Sequence, residues 1–276
     1  MIRQRNISRL ANRLASDGSR RIPEAVLERD YCLAWFLVGL SGSLLKPVIG
    51  FKGGTALKRC YFDDYRFSED LDFTLLRATP LEEILQHLEA LFIEVQQASG
   101  IQFRFERMDR HGHVNSDTFY LGYSGPLPAP NSVKVDITVR EIVIYPPVER
   151  PVLRSYPEFE DIPEGREITV YSLDEIAIEK TVALADAART EPRDLYDLWY
   201  LTTEGGVELG NLHEGTRQKL AFREKPFAGI QAAVATKQNR LRSLWETRLA
   251  EQMARLPEFD EVFRFIRRTL RQAGLP

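Results

Sequence analysis

The chain has 276 residues, 43% hydrophobic, 10% aromatic and 28% charged, which suits a globular fold and excludes a collagen-like or low-complexity one. A mean hydropathy of −0.29 with no bilayer-length apolar run speaks against a membrane-spanning chain, and two cysteines, Cys32 and Cys60, are too few for a disulfide framework or a cysteine zinc site. Lysine and arginine number 37 against 40 aspartate and glutamate, a formal charge of −3 that taken as a total argues against a nucleic-acid partner.

The total hides a division. Residues 1–29 hold seven Lys/Arg and three Asp/Glu, residues 217–276 hold thirteen and six, and the middle holds seventeen and thirty-one. An acidic centre between basic ends is either ordinary solvated helix faces or a functional asymmetry. Residues 1–5 begin with charge, but no apolar block with a small-residue cleavage site follows, so the expected location is the cytoplasm.

In chain order, Pro23 opens a helical pattern over 22–45. An apolar run at 47–52 reads as a strand entering the tight turn Gly53-Gly54, followed by a helix over 55–61 with Thr55 as its N-cap. Residues 71–76 are strand-like, and Pro80 starts a helix through Leu85, Leu88, Leu91 and Phe92. Alternating segments follow at 101–107, 118–124 and 132–139. The proline-rich stretch 145–163 cannot continue a sheet interior and is expected to cross the surface. From Ser172 the pattern is helical almost to the end. His111-Gly112-His113 lies in a polar stretch with no further ligand nearby and reads as a loop.

Asp70-Leu71-Asp72 carries most information. On a strand, residues i and i+2 share a face, so two carboxylates project together and repel unless a cation lies between them. Hard oxygen ligands suit Mg²⁺ shared with substrate phosphates. Alone, such a pair is a solvated strand end. It follows Gly53-Gly54-Thr55, a turn whose backbone N–H groups can face an anion. In 133–139, Val133, Val135, Ile137 and Val139 form one face and Lys134, Asp136 and Thr138 the other. If that strand neighbours 71–76, Asp136 completes a three-carboxylate metal site.

In the helical part, Ser172-x-x-Glu175 is a capping box. Lys180 extends from a largely apolar stripe, so it either snorkels to solvent or meets an anion such as a triphosphate. Leu195, Leu198 and Trp199 should pack, leaving Arg193, Asp194 and Asp197 on the polar side, with Arg193 and Asp197 at ion-pair spacing.

Phe51-Lys52-Gly53-Gly54-Thr55-Ala56-Leu57, Arg66-Phe67-Ser68-Glu69-Asp70-Leu71-Asp72-Phe73, Lys134-Val135-Asp136 and the helical Glu175, Glu179-Lys180, Arg193-Asp194 and Asp197-Leu198 stand in an order that resembles the AbiEii/AbiGii toxin family. That family is a bacterial branch of the polymerase β-like minimal nucleotidyltransferases. One departure is Gly-Gly-Thr where the wider superfamily has Gly-Ser. The resemblance implies an α+β fold: an N-terminal nucleotidyltransferase-like mixed sheet with helices over 1–165, then a helical domain over 166–276 completing the nucleotide site. It implies a transferase that moves an NMP from an NTP to an acceptor hydroxyl, with Mg²⁺ or Mn²⁺ as cofactor. The expected acceptor is the 3′ end of tRNA, in a toxin–antitoxin or phage-defence system with a winged-helix antitoxin as partner. By the same resemblance Asp70, Asp72 and Asp136 bind metal, with Asp72 or Asp136 helping to deprotonate the acceptor. Gly53 and Gly54 admit the triphosphate, with Thr55 beside them. Lys180 contacts the triphosphate, Asp194 is a second essential acid, and Lys52, Arg66 and Ser68 are further phosphate or structural contacts. Two rivals stay open: nucleotidylation of a protein or small molecule, and a non-catalytic nucleotide-binding regulator. Arg264-Phe265-Ile266-Arg267-Arg268-Thr269-Leu270-Arg271 favours RNA among acceptors, or is an ordinary amphipathic end helix.

Overall fold

Short runs of β-branched and aromatic residues pair into one mixed sheet. The computed structural model describes residues 1–16, 19–109 and 115–276; His111-Gly112-His113 lies outside them. The strands are β1 (Ile49–Lys52), β2 (Leu71–Leu75), β3 (Gln102–Met108), β4 (Ser116–Ser124), β5 (Asn131–Thr138), β6 (Val148–Pro151) and β7 (Glu167–Val170), in spatial order β3-β4-β5-β2-β1-β7-β6. β2 runs antiparallel to β1 and parallel to β5, while β4 is antiparallel to both β3 and β5. One part of the proline-rich stretch departs from the surface crossing expected of it, because Val148–Pro151 pairs with β7. It does so as an edge strand, where a missing N–H costs no ladder bond.

Strand alternation separates the two faces of the central sheet. Phe51, Leu71, Phe73, Val133, Val135 and Ile137 are buried on one face, with the Phe51 and Phe73 rings 5.2 Å apart. The alternate residues are polar. Helices α1 (Gln4–Ala15) and α2 (Glu24–Gly42) precede the sheet. In α2 the consecutive Leu33, Ala34, Trp35, Phe36 and Leu37 are all buried, so this helix is apolar around its circumference and lies inside. After β1 the chain makes α3 (Gly53–Ala56), continues as a π-helical turn over Leu57–Tyr61, and reaches β2. Helix α4 (Leu81–Ser99) starts after Pro80, buries Ile84, Leu88, Leu91 and Val95 against α2 and β3, and ends at Gly100 in the left-handed region.

The chain divides into two compact units. The first is Met1–Glu141 with Pro147–Val170, and the second is Ile142–Pro146 with Tyr171–Pro276. The second contains α5 (Leu173–Ala185), α6 (Pro192–Thr203), a 3₁₀ turn at Leu209–Leu212, α7 (His213–Phe222), α8 (Ile230–Thr236), α9 (Gln238–Leu249) and α10 (Phe259–Gln272). α6 packs on α5, α9 and α10. Among the described residues no helix is long and apolar enough to cross a membrane.

Half of the expected capping box forms. Ser172 Oγ accepts from the Glu175 N–H at 3.2 Å. The Glu175 carboxylate instead accepts from the backbone N–H groups of Ile144 and Tyr145, at 3.0 and 2.9 Å, and from Lys219 Nζ at 2.5 Å. Lys219 also donates to the Ile142 carbonyl at 3.0 Å, so this fully buried ion pair is what fastens 142–146 to the helical unit. Satisfying three buried donors outweighs one exposed cap bond.

Candidate active site

The register of the central strands aligns four polar residues in one row. Lys52 on β1 is the Cα partner of Asp72 on β2, Asp72 of Asp136 on β5, and Asp136 of Thr118 on β4. Cross-strand partners share a face, so two carboxylates stand side by side with a lysine at one end of the row and a threonine at the other. Lys52 is largely buried, and its Nζ donates to Thr138 Oγ1 at 3.1 Å. Asp136 accepts from Thr118 Oγ1 on Oδ1, and from Lys134 Nζ on Oδ2 at 2.5 Å. Asp70 comes directly before the Leu71–Val135 pair that opens β2. Burial lowers the Lys134 ammonium's pKa, but the bond to Asp136 and the charges of Asp136, Asp70 and Asp72 outweigh it and raise the pKa above the usual lysine range. Among the described residues no group of three or more His, Cys, Asp or Glu side chains stands as a metal-holding cluster.

The glycine pair is fitted to this row. Gly53 has φ +78, and a Cβ built on it would stand 2.5 Å from Asp72 Oδ2. A Cβ on Gly54 would stand 2.6 Å from the Arg66 guanidinium and 3.1 Å from Ser68 Oγ. Bare backbone is favoured at Gly53, where φ is positive and Asp72 closes over the turn, while a Cβ at Gly54 would press on the ends of the Arg66 and Ser68 side chains. Thr55 does not cap the helix as expected, because helical geometry begins earlier, with Lys52 at the N-cap position. Its hydroxyl donates instead to the Asp70 carbonyl at 2.5 Å, tying the turn to the residue that opens the Asp-Leu-Asp sequence. The turn and the carboxylates are thus joined by side-chain bonds as well as by strand pairing.

A second charged cluster lies within the helical unit. Lys180 Nζ on α5 is 3.0 Å from Asp194 Oδ1 and 2.7 Å from Asp197 Oδ2, both on α6. Arg189 Nε reaches Asp194 Oδ2 at 2.6 Å. Asp194 and Asp197 are buried, not on a polar outer side as their helical spacing suggested. Burial raises the Asp194 carboxyl, but the Lys180 ammonium and then the Arg189 guanidinium outweigh it and hold it below the ordinary aspartate range. Lys237 donates to the carbonyls of Leu184, Asp186 and Arg189, which fixes the connection that carries Arg189.

The family model for the nucleotidyl transferase AbiEii toxin of type IV toxin–antitoxin systems matches residues 35–265. The chain belongs to this family. Two solved structures show the same fold. One is MenT4, a nucleotidyltransferase toxin from Mycobacterium tuberculosis, 14% identical, with a TM-score of 0.59 over 99% of this chain and 90% of that one. The other is described as a candidate nucleotidyltransferase from H. pylori, 17% identical, with a TM-score of 0.55 over 91% and 96%. No curated protein matches the chain in sequence.

Within this AbiEii-family chain, the first unit gathers Lys52, Gly53, Gly54, Thr55, Arg66, Ser68, Asp70, Asp72 and Asp136 around one turn and one row of strand partners. Lys180 and Asp194 form their own ion pair in the second. Sequence reasoning assigned no site role to Lys134 or Thr118, and read Asp197 only as an ion-pair partner of Arg193. Lys134 was readable, since it alternates with Asp136 on the polar face of β5. Thr118 needed the β4–β5 register. Asp197 needed the α5–α6 contact.

Proposed function

We propose that this nucleotidyltransferase moves an NMP from an NTP to the 3′-hydroxyl of an RNA, with tRNA as the first acceptor to test. The observation that carries the reading is the pairing of Asp72 with Asp136 on adjacent parallel strands, with Asp72 packed against the turn at Gly53, where a Cβ would meet its carboxylate at 2.5 Å. Three carboxylates are a hard-oxygen donor set, and the raised pKa of Lys134 marks the place as one that favours positive charge. In chemistry these residues fit a divalent cation held by Asp70, Asp72 and Asp136, Mg²⁺ or Mn²⁺ by ligand type. Such a cation would supply Lewis-acid neutralisation of triphosphate charge.

The chain's own groups do the rest. The Gly53 and Gly54 backbone approaches the triphosphate, with Arg66 and Lys52 as cations near that turn. The acceptor oxygen attacks the α-phosphorus in line, its proton passing to the carboxylate of Asp72 or Asp136. The bond from the α-phosphorus to the bridging oxygen breaks and pyrophosphate leaves. Lys180 and Asp194 enter the reading as a pre-formed pair, so any anion that Lys180 meets finds it at a position fixed by Asp194 and Asp197. The basic 217–276 region supports RNA as acceptor, since phosphate neutralisation needs clustered Lys and Arg. A winged-helix antitoxin is the proposed protein partner.

The test is label transfer. The protein is incubated with Mg²⁺, each α-labelled NTP and total tRNA, beside an Asp70→Ala/Asp72→Ala variant. Label on tRNA with one or more NTPs, absent from the variant, is the expected result. No transfer to RNA from any NTP sinks the central claim, and label on a protein or a small molecule instead moves the acceptor to that class.

A further inference from the structure

Asp70 directly before β2, Asp72 on it and Asp136 opposite Asp72 on β5 gather three carboxylates that are unstable as bare anions. In this chain the neutralising charge comes from within. Lys134 Nζ sits 2.5 Å from Asp136 Oδ2 and feels the charges of Asp70 and Asp72 as well. Thr118 takes the other Asp136 oxygen, so both oxygens already have donors. Lys134 is nevertheless not locked in. Its side chain is 37% exposed and that of Asp136 is 25% exposed, in contrast to the fully buried Lys219–Glu175 pair that fastens 142–146. A part-exposed lysine on a flexible stem has room to swing away from its carboxylate without moving the backbone, the cost being the loss of the ion pair itself.

We propose that Lys134 is a built-in counter-ion of the carboxylate row, displaced from Asp136 when a divalent cation enters and then re-paired with the phosphates of the incoming nucleotide. This rests on the metal reading given above and adds an order to it. Free cation must expel an ammonium with no new anion to receive it, so alone it binds weakly. Cation arriving with a triphosphate gives Lys134 a second partner, so the two bind cooperatively. Coupling of this kind is reciprocal, so the cation tightens nucleotide binding by the same factor.

The test reads binding, not turnover. Mn²⁺ is titrated into the whole protein and free Mn²⁺ is followed by electron paramagnetic resonance, with and without a non-hydrolysable NTP. Wild type should bind Mn²⁺ weakly alone and about tenfold more tightly with nucleotide, within the usual range of such couplings. Lys134→Met and Lys134→Gln should bind Mn²⁺ alone more tightly than wild type, with the nucleotide effect reduced towards none. In chelator their thermal midpoints should fall below wild type and recover on adding Mn²⁺, a signature that loss of a surface contact alone would not give. Unchanged or weaker Mn²⁺ binding by both variants, or an undiminished nucleotide effect, overturns the role of Lys134. If neither wild type, with or without nucleotide, nor either variant binds Mn²⁺, and Asp72→Asn behaves the same, the metal reading itself fails and this inference falls with it.

Discussion

Gly53 shows how much of the site depends on one missing side chain. Its φ of +78 would cost an L residue about 1–2 kcal/mol, and a Cβ there would also meet Asp72 Oδ2 at 2.5 Å. The first cost is paid in stability, but the second falls on the carboxylate, which must leave its place between Lys52 and Asp136. Gly53→Ala should therefore lower stability by about 1–3 kcal/mol in denaturant unfolding, the usual range for a residue held in such a region. Transfer activity should fall at least about tenfold, equivalent to ~1.4 kcal/mol in the barrier. Gly54→Ala is the companion measurement. Its added Cβ meets the ends of the Arg66 and Ser68 side chains, not Asp72, so the expected effect is on nucleotide KM more than on kcat. A Gly53→Ala protein with unchanged activity would show that Asp72 can shift freely, against the fixed row that the register describes.

At the scale of elements, the α5–α6 pair exposes what pattern reading can and cannot find. Lys180 is the counter-charge for two buried carboxylates, Asp194 and Asp197. Removing one partner of a buried pair leaves uncompensated charge, so Lys180→Met should lose about 3–5 kcal/mol at neutral pH. The pH dependence has a definite sign. The folded Asp194 pKa is depressed, so its contribution is complete above the unfolded value near 3.9 and is lost as pH falls through the lower folded value. In Lys180→Met the Asp194 carboxylate, which keeps Arg189 but loses the ammonium, takes up its proton at higher pH than in wild type. The stability gap between the two proteins should therefore narrow on acidification, measured by urea unfolding from neutral pH downward; a constant gap would mean that Lys180 acts by packing alone. None of this was visible in the helical spacing, which placed Asp194 and Asp197 on a polar side because their counter-ion lies on another helix. Strands were more legible. The alternation of Val133, Val135 and Ile137 with Lys134, Asp136 and Thr138 stated its own two faces, and only the neighbour of that strand had to be learned. Thr55 was misread for the same reason as the acids: its hydroxyl serves a carbonyl fifteen residues away, where a local capping rule cannot look.

For the whole molecule, net charge is the property that changes meaning most. A total of −3 conceals an acidic middle, part of which is the cluster of Asp70, Asp72 and Asp136, and a basic region over 217–276. Most of that positive charge could be ordinary surface, and several arginines are indeed spent on ion pairs, as in Arg217–Glu214 and Arg242–Asp260. Helix α10 differs. Arg264, Arg267, Arg268 and Arg271 line a cavity of about 570 Å³ with Phe265 and one acid, Glu261, and among the described residues none of the four arginines is in an ion pair. Cations outside ion pairs, with the part-exposed Phe265 ring under Arg268, are suited to a phosphate backbone and to stacking on a base. If an RNA acceptor lies on this face, changing the four arginines to glutamine should weaken binding of labelled tRNA and flatten its dependence on salt. Each arginine that meets a phosphate contributes about one unit to the slope of log affinity against log salt, so the full variant should lose roughly three to four units. Thermal stability should barely move, because exposed charges outside ion pairs contribute little to folding. Fluorescence anisotropy across a salt series measures both quantities. An unchanged slope in the quadruple variant would make α10 a solvated face and send the search for the acceptor elsewhere.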